Sequence, residues 1–317
     1  MTFATAPQRD IAAFALRLFA WASVFVTFAF LFENWLVYWQ GQPRLRVGGT
    51  WAVVTYAVAF ALAVLLAFRG QRGPLRADST RITALAGWIA RSAFWLVLLI
   101  GSVDAVISFL RVEGFLPGLV GEQMATQLGL SHWRGPYVHM PLAALGLLLG
   151  LLTRGVSFVW LTLLVVIVQL IIVIGRFVFS YEQPFITDLV RMWYAALFLF
   201  SSAYTLVEEG HVRVDVFYAS MSPRAKALVN GIGSIVLGMS LMWVILILGT
   251  ATRASPIIGP FIGYEQGQQT FGLATKYWMA AFLGIFATLM MVQFAASVLK
   301  AGADWRGEPE TGTIKAG

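Results

Sequence analysis

Apolar residues in this chain do not alternate with polar ones at the period of a soluble helix or strand. They run together in blocks. Eight blocks stand out, near residues 11–38, 51–68, 84–110, 137–153, 156–180, 186–206, 228–251 and 275–299. Most approach the roughly 20 residues that cross a hydrocarbon core about 30 Å thick. The fourth is the shortest, and only Thr153-Arg154-Gly155 parts it from the fifth. Val156–Gly175 is apolar on every face, with none of the alternation of a barrel strand. In a medium without water, helices satisfy all of their backbone groups within one segment. The pattern therefore predicts an all-α polytopic membrane protein of about eight transmembrane helices.

Composition fits that picture and narrows function. Of 317 residues, 59% are hydrophobic and only 12% charged, against about 25% charged in a soluble domain. With no cysteine there is no disulfide framework, thiolate metal site, iron–sulfur cluster or covalent haem. The three histidines, His132, His139 and His211, are placed at or near helix ends, which argues against axial haem ligation inside the bilayer. No Walker loop or GxGxxG occurs, and no nucleophile–base or paired-metal constellation points to an enzyme. No cofactor is expected.

The net charge of +7 speaks of lipid and orientation, and not of nucleic acid, because Lys and Arg are spread through short loops. Polar residues 1–10 and the long apolar stretch behind them do not read as a cleavable signal. With the N-terminus inside, the inner segments hold Arg9, Arg69, Arg72, Arg76, Arg81, Arg154, Arg213, Arg224, Lys226, Lys300, Arg306 and Lys315. The outer loops hold half as many: Arg44, Arg46, Arg111, Arg134, Arg253 and Lys276. Both termini are expected inside.

Ionisable residues within apolar segments are functional candidates by default. Asp104 lies deepest, and the expectation is a carboxylate paired with an arginine, another donor or a neighbouring subunit; a proton or cation site is the sharper alternative. Glu33 is placed at headgroup level near an outer end. Arg17 and Arg91 lie near inner ends, where their long stems let them snorkel. Gly146-Leu-Leu-Leu-Gly150 permits a close helix approach, including a dimer seam. The outer loop Pro256–Leu273 either sits where a soluble partner could dock or is an ordinary loop capping the bundle.

From Gly210 the chain reads Gly-His-Val-Arg-Val-Asp-Val-Phe-Tyr-Ala-Ser-Met-Ser-Pro-Arg. His211, Arg213 and Asp215 share one face of an extended segment, with valines on the other. Ser222-Pro223 then opens a helix, with Arg224 beside it. Upstream, Asp188 and Arg191 are spaced to meet on one helix face, and Arg176 ends the preceding helix on the same side of the membrane. A charge cluster closing that hairpin is expected. Arg176, Asp188, Arg191, His211, Arg213, Asp215 and Arg224 are the candidate partner- or lipid-interface residues; no metal or catalytic site is expected among them.

These features resemble the small, DctQ-type permease subunit of tripartite ATP-independent periplasmic (TRAP) transporters, over about Val156–Ala301. This chain has Ser222-Pro223 where the family often has Pro-Pro, and Thr187-Asp188 where a glutamate pair is common. The resemblance implies a four-helix module, residues 154–301, with both ends inside. Residues 1–153 would be an N-terminal extension of about four helices, and 302–317 a short cytoplasmic tail. It further implies an accessory subunit of the bacterial inner membrane, packed against a DctM-type large permease. A periplasmic DctP-type binding protein would deliver the substrate, commonly an organic acid, for sodium-coupled uptake. A self-sufficient transporter or channel, with a path between the two halves, is the competing reading.

Overall fold

What begins and ends the helices is set by polar groups that hydropathy does not see. The computed structural model describes residues 10–154, 158–181, 184–207, 216–266 and 272–309. Among them are eight long helices: α1 (Ile11–Trp39), α2 (Thr50–Gly70), α3 (Leu75–Val112), α4 (Ser131–Leu152), α5 (Phe158–Val178), α6 (Pro184–Val207), α7 (Pro223–Thr250) and α8 (Lys276–Trp305). No strand occurs among the described residues. Seven of the eight are long and apolar enough to cross a membrane. The other, α6, has 24 residues but carries Asp188, Arg191, Ser201, Ser202 and Thr205. Helix α3 starts at Leu75 rather than 84, and α4 at Ser131 rather than 137.

Two compact units emerge, one of Met1–Ala86, Gly210–Val244 and Met290–Ile314, the other of Gly87–Glu209, Ile245–Leu289 and Lys315–Gly317. Each draws residues from both sides of position 153.

In the first unit, α1 and α2 form a hairpin. The Asp10 carboxylate accepts from the Ala13 amide at 3.0 Å and so caps α1. It also pairs with Arg306, and that bond, with the cap, holds the carboxyl below its ordinary range. At the far end Glu33 closes the hairpin. Its Oε1 accepts from the Leu45 amide at 2.8 Å and its Oε2 from the Tyr56 hydroxyl at 2.7 Å. Glu33 is buried, so it turns to the chain rather than to headgroups.

The buried stripe that opens α3 is Leu75, Asp78, Ser79, Ile82 and Ala86, spaced as one helix face. It explains the early start: the first three turns are amphipathic, too polar for a hydropathy window but well packed. Asp78 accepts from Arg17 Nε at 2.7 Å and from Arg81 Nη1 at 3.1 Å, while Arg17 Nη2 also donates to the Gly73 carbonyl. Arg17 is thus buried in an ion pair instead of snorkelling. Gly70 is required beside this pair, since a Cβ there would lie 2.7 Å from Asp78 Oδ2.

Glu308 then caps α3 from the other end of the sequence, its two oxygens accepting from the Leu75 and Arg76 amides at 3.1 Å each. A carboxylate at a helix N-terminus also meets the favourable end of the helix dipole. Ser79 Oγ donates to the Ala296 carbonyl at 2.8 Å, and Arg76 Nη2 to Asp304 at 2.7 Å. These contacts join α3 to α8 and the residues that follow it.

In the second unit, α4 crosses α3 on a face of Ala143, Gly146 and Gly150, all buried. A Cβ at Gly146 would sit 2.9 Å from the Leu96 amide nitrogen, and one at Gly150 2.8 Å from Ser92 Cα. The GxxxG face is therefore spent within the chain. Beside it Arg91 Nε donates to the Gly150 carbonyl at 3.2 Å, and Trp95 Nε1 to Thr153 Oγ1 at 3.0 Å. Helix α6 also meets α3 closely, as a Cβ at Gly101 would lie 2.6 Å from Trp193 Nε1. Gly114, at φ 74°, ends α3, with the Phe115 amide returning to the Leu110 carbonyl. Two short helices follow, Leu116–Val120 and Glu122–Leu128. Leu116, Ala125 and Leu128 pack there against Ile107, Leu110, Trp133 and Val138.

Gly150→Val tests the α3–α4 crossing. Overpacking a backbone contact of this kind is expected to destabilise by about 1–3 kcal/mol, seen as a lower thermal midpoint of the detergent-solubilised chain. An unchanged midpoint contradicts the crossing.

Candidate functional site

Asp104 lies on α3, two turns before its end, and is fully buried. An ionised carboxylate accepts only, so each of its oxygens must find donors. Oδ1 accepts from Arg134 Nη1 at 2.5 Å and from His139 Nε2 at 3.0 Å, and Oδ2 accepts from the Ala274 amide at 2.7 Å. His139 Nδ1 lies 2.6 Å from the Tyr277 hydroxyl, and the two rings stack. One assignment of protons serves every group: Tyr277 O–H donates to Nδ1, and Nε2–H donates to Asp104. The imidazole is then neutral, and the charge of Arg134 balances that of Asp104.

Local backbone makes this cluster possible. Arg134 and His139 are five residues apart, which on a regular α-helix sets them about 140° apart. Between them Gly135–His139 forms a π-helical turn, with the Met140 amide bonded to the Gly135 carbonyl. A turn closed five residues back returns both side chains to one side. Pro136, with no N–H, fits this departure from regular bonding. Arg134 is thereby drawn into the interior at 1% exposure, and His139 at 0%. In the charge count Arg134 stood as a loop residue, and His139 as one near a helix end; the structure corrects both. The signal available in the sequence was the presence of Asp104, Arg134 and His139 on two successive long helices. Their five-residue spacing hid it.

The same neighbourhood binds the segment between α7 and α8. Ser131 Oγ donates to the Tyr264 carbonyl at 2.7 Å, and the Tyr264 ring lies where a Cβ on Gly135 would be 2.3 Å away. Tyr264 itself is held at φ 46°, a left-handed conformation that costs a non-glycine residue free energy. The Asp188 carboxylate accepts from the Leu273 amide at 3.2 Å. Residues 272–275, Tyr277 and Trp278 are buried, while Glu265, Gln266 and Lys276 are exposed.

Of the interface candidates, Asp188 and Arg191 meet as the spacing required, at 3.4 Å. Arg176 lies exposed in the last turn of α5. Arg224 is exposed in the first turn of α7, whose N-cap is Ser222. It lines an open cleft of about 590 Å³ with Trp305, Arg306, Gly307 and Glu308. His211, Arg213 and Asp215 lie outside the described residues. Among the described residues, no three His, Asp or Glu side chains gather as a metal site would require.

Residues 162–302 match the DctQ component of tripartite ATP-independent periplasmic transporters. That segment is somewhat under half of the chain. It spans most of α5 through most of α8, and residues 1–161 precede it. No curated protein and no solved structure matches the chain. The Asp104 network joins the matched segment, which holds Ala274 and Tyr277, to residues before it, Asp104, Arg134 and His139.

Removing one member of a buried ion pair strands the other in the interior, at a cost of about 3–5 kcal/mol. Asp104→Ala and Arg134→Ala are each expected to lower chain stability by that order. The double variant should lose less than the sum of the two. Additive losses in a thermal-unfolding cycle would contradict a direct pair.

Proposed function

We propose that this chain is the small, DctQ-type subunit of a TRAP transporter in a bacterial inner membrane, with both termini inside. It packs against a DctM-type large permease, which moves the substrate. A DctP-type periplasmic protein delivers that substrate, an organic acid taken up with sodium. Residues 1–153 serve as an extension that completes the small subunit's own packing and widens its surface towards partner and lipid.

The observation that carries this reading is the family match over 162–302. Burial supports it. In the most apolar stretch of α8, 67% of residues are buried, whereas in α5 only 6% are. Helix α5 presents Leu163, Val166, Ile167, Leu170 and Ile174 outward, a surface suited to another membrane helix or to lipid. The competing reading, a self-sufficient transporter, needs unoccupied polar groups along a path. The carboxylates of Glu33, Asp78 and Asp104 each have both oxygens bonded to donors of this chain. That favours holding the fold over conducting an ion.

The natural chain has no cysteine, which makes single-cysteine cross-linking clean. Cysteines at Leu163, Ile167 and Ile174 are expected to cross-link, in native membranes, to one larger hydrophobic protein. A cysteine replacing Val292, fully buried on α8, should not. Cross-links only between copies of this chain, from a purified chain that moves solute into liposomes, would overturn the proposal.

A further inference from the structure

Residues 113–130, between α3 and α4, expose large apolar side chains although they belong to no spanning helix. Phe115 is 57% exposed and Leu119 66%, and Val120 and Met124 are open as well. On the short helix Glu122–Leu128 the two faces differ. Ala125 and Leu128 are buried, while Glu122, Gln123 and Thr126 are exposed. The helical period sets Met124 about 40° from Leu128 but about 160° from Thr126. Met124 therefore extends the apolar side, and the polar side faces away from it.

Depth decides what these apolar side chains meet. The segment folds back beside the ends of α3 and α4, with Leu116, Ala125 and Leu128 packed on Ile107, Leu110, Trp133 and Val138. Ile107 lies before the end of α3 at Val112, and Val138 after the start of α4 at Ser131, by about 7 and 10 Å of helix axis. Interfacial helices bury an apolar face about 5–10 Å into the boundary of headgroups and acyl chains. Arg111 fastens the segment at this level, its Nη1 donating to the Gly129 carbonyl at 3.2 Å. Trp133 and Tyr137 stack 5.0 Å apart in the first turns of α4, and Tyr137 is exposed; such rings favour a membrane–water boundary. Val106 and Phe109 are exposed on the adjoining turns of α3, so apolar exposure runs on into the spanning part. Within 113–130 the exposed charge is Glu122, which offers anionic headgroups no attraction.

We infer that residues 115–128 lie in the membrane interface as an anchor on zwitterionic lipid. Phe115, Leu119, Val120 and Met124 enter the upper acyl region, and Glu122, Gln123 and Thr126 stay in water. The anchor holds the ends of α3 and α4 at one depth, with Asp104 about a turn deeper on α3 than Ile107. It rests on the spanning helices of the proposed function and not on its transport partners.

Spin labels on single cysteines of the full chain, in phosphatidylcholine nanodiscs, read this depth through collision with oxygen, which enters lipid, and with a nickel chelate, which stays in water. Labels replacing Leu119 and Val120 are expected to meet oxygen freely and nickel about fivefold less than labels replacing Glu122 and Thr126, because a polar chelate is excluded from the acyl region. With the label at Val120, Leu119→Glu should raise nickel contact and Leu119→Trp should not. Equal nickel contact at Leu119 and Glu122 would overturn the anchor. Shielding of Leu119 from both reagents in native membranes would overturn it too, in favour of a protein partner. A label replacing Val58, exposed midway along α2, reports the membrane itself. Nickel contact there would sink the spanning reading and the anchor together, whereas nickel at Leu119 with oxygen alone at Val58 overturns only the anchor.

Discussion

A carboxylate buried away from water must find all of its donors within the chain. Three buried carboxylates, Asp78, Glu33 and Asp104, set much of the polar architecture of this structure. Asp78 recruits Arg17 from α1 and Arg81 from its own helix. Glu33 recruits an amide and a tyrosine from across its hairpin. Asp104 recruits an arginine and a histidine from α4 and the Ala274 amide from just before α8. An unpaired charge there would cost several kcal/mol. Each group is instead a point at which separate stretches of sequence are compelled to meet.

Those meeting points do not respect the boundary near residue 153. Helix α3 bonds residues after position 153 in both units, through Ser79 and Ala296 in one and Asp104 and Ala274 in the other. Two helices that precede the matched segment, α3 and α4, bond Ala274 and Tyr277 within it.

The helices themselves were legible in the sequence because hydropathy and length are what a bilayer selects. Their beginnings were not. Leu75 to Ala86 bury one face and wet the other, so an apolar window starts at 84 while the helix has already made three turns. Ser131–Arg134 was taken for loop because His132 and Arg134 count as polar, yet Arg134 is buried against Asp104. The DctQ-like motifs were readable from Asp188, Arg191 and Ser222-Pro223-Arg224, which depend on local chemistry. The Asp104 network was not, since it needs a π-helical turn that no spacing rule announces, and an amide partner 170 residues away in sequence. Arg17 shows the same limit: snorkelling and pairing start from one sequence pattern, and only the position of Asp78 decides between them.

The bonds of Ser79 to Ala296 and of Asp104 to Ala274 each join a residue before position 153 to one after it. Expressing residues 1–153 and 154–317 as two separate chains in one membrane tests that joining most directly. The halves are expected to purify together in equal amounts, with Asp104→Asn in the first half weakening their association. Two halves that are each monodisperse and folded alone, with no affinity for one another, would contradict it.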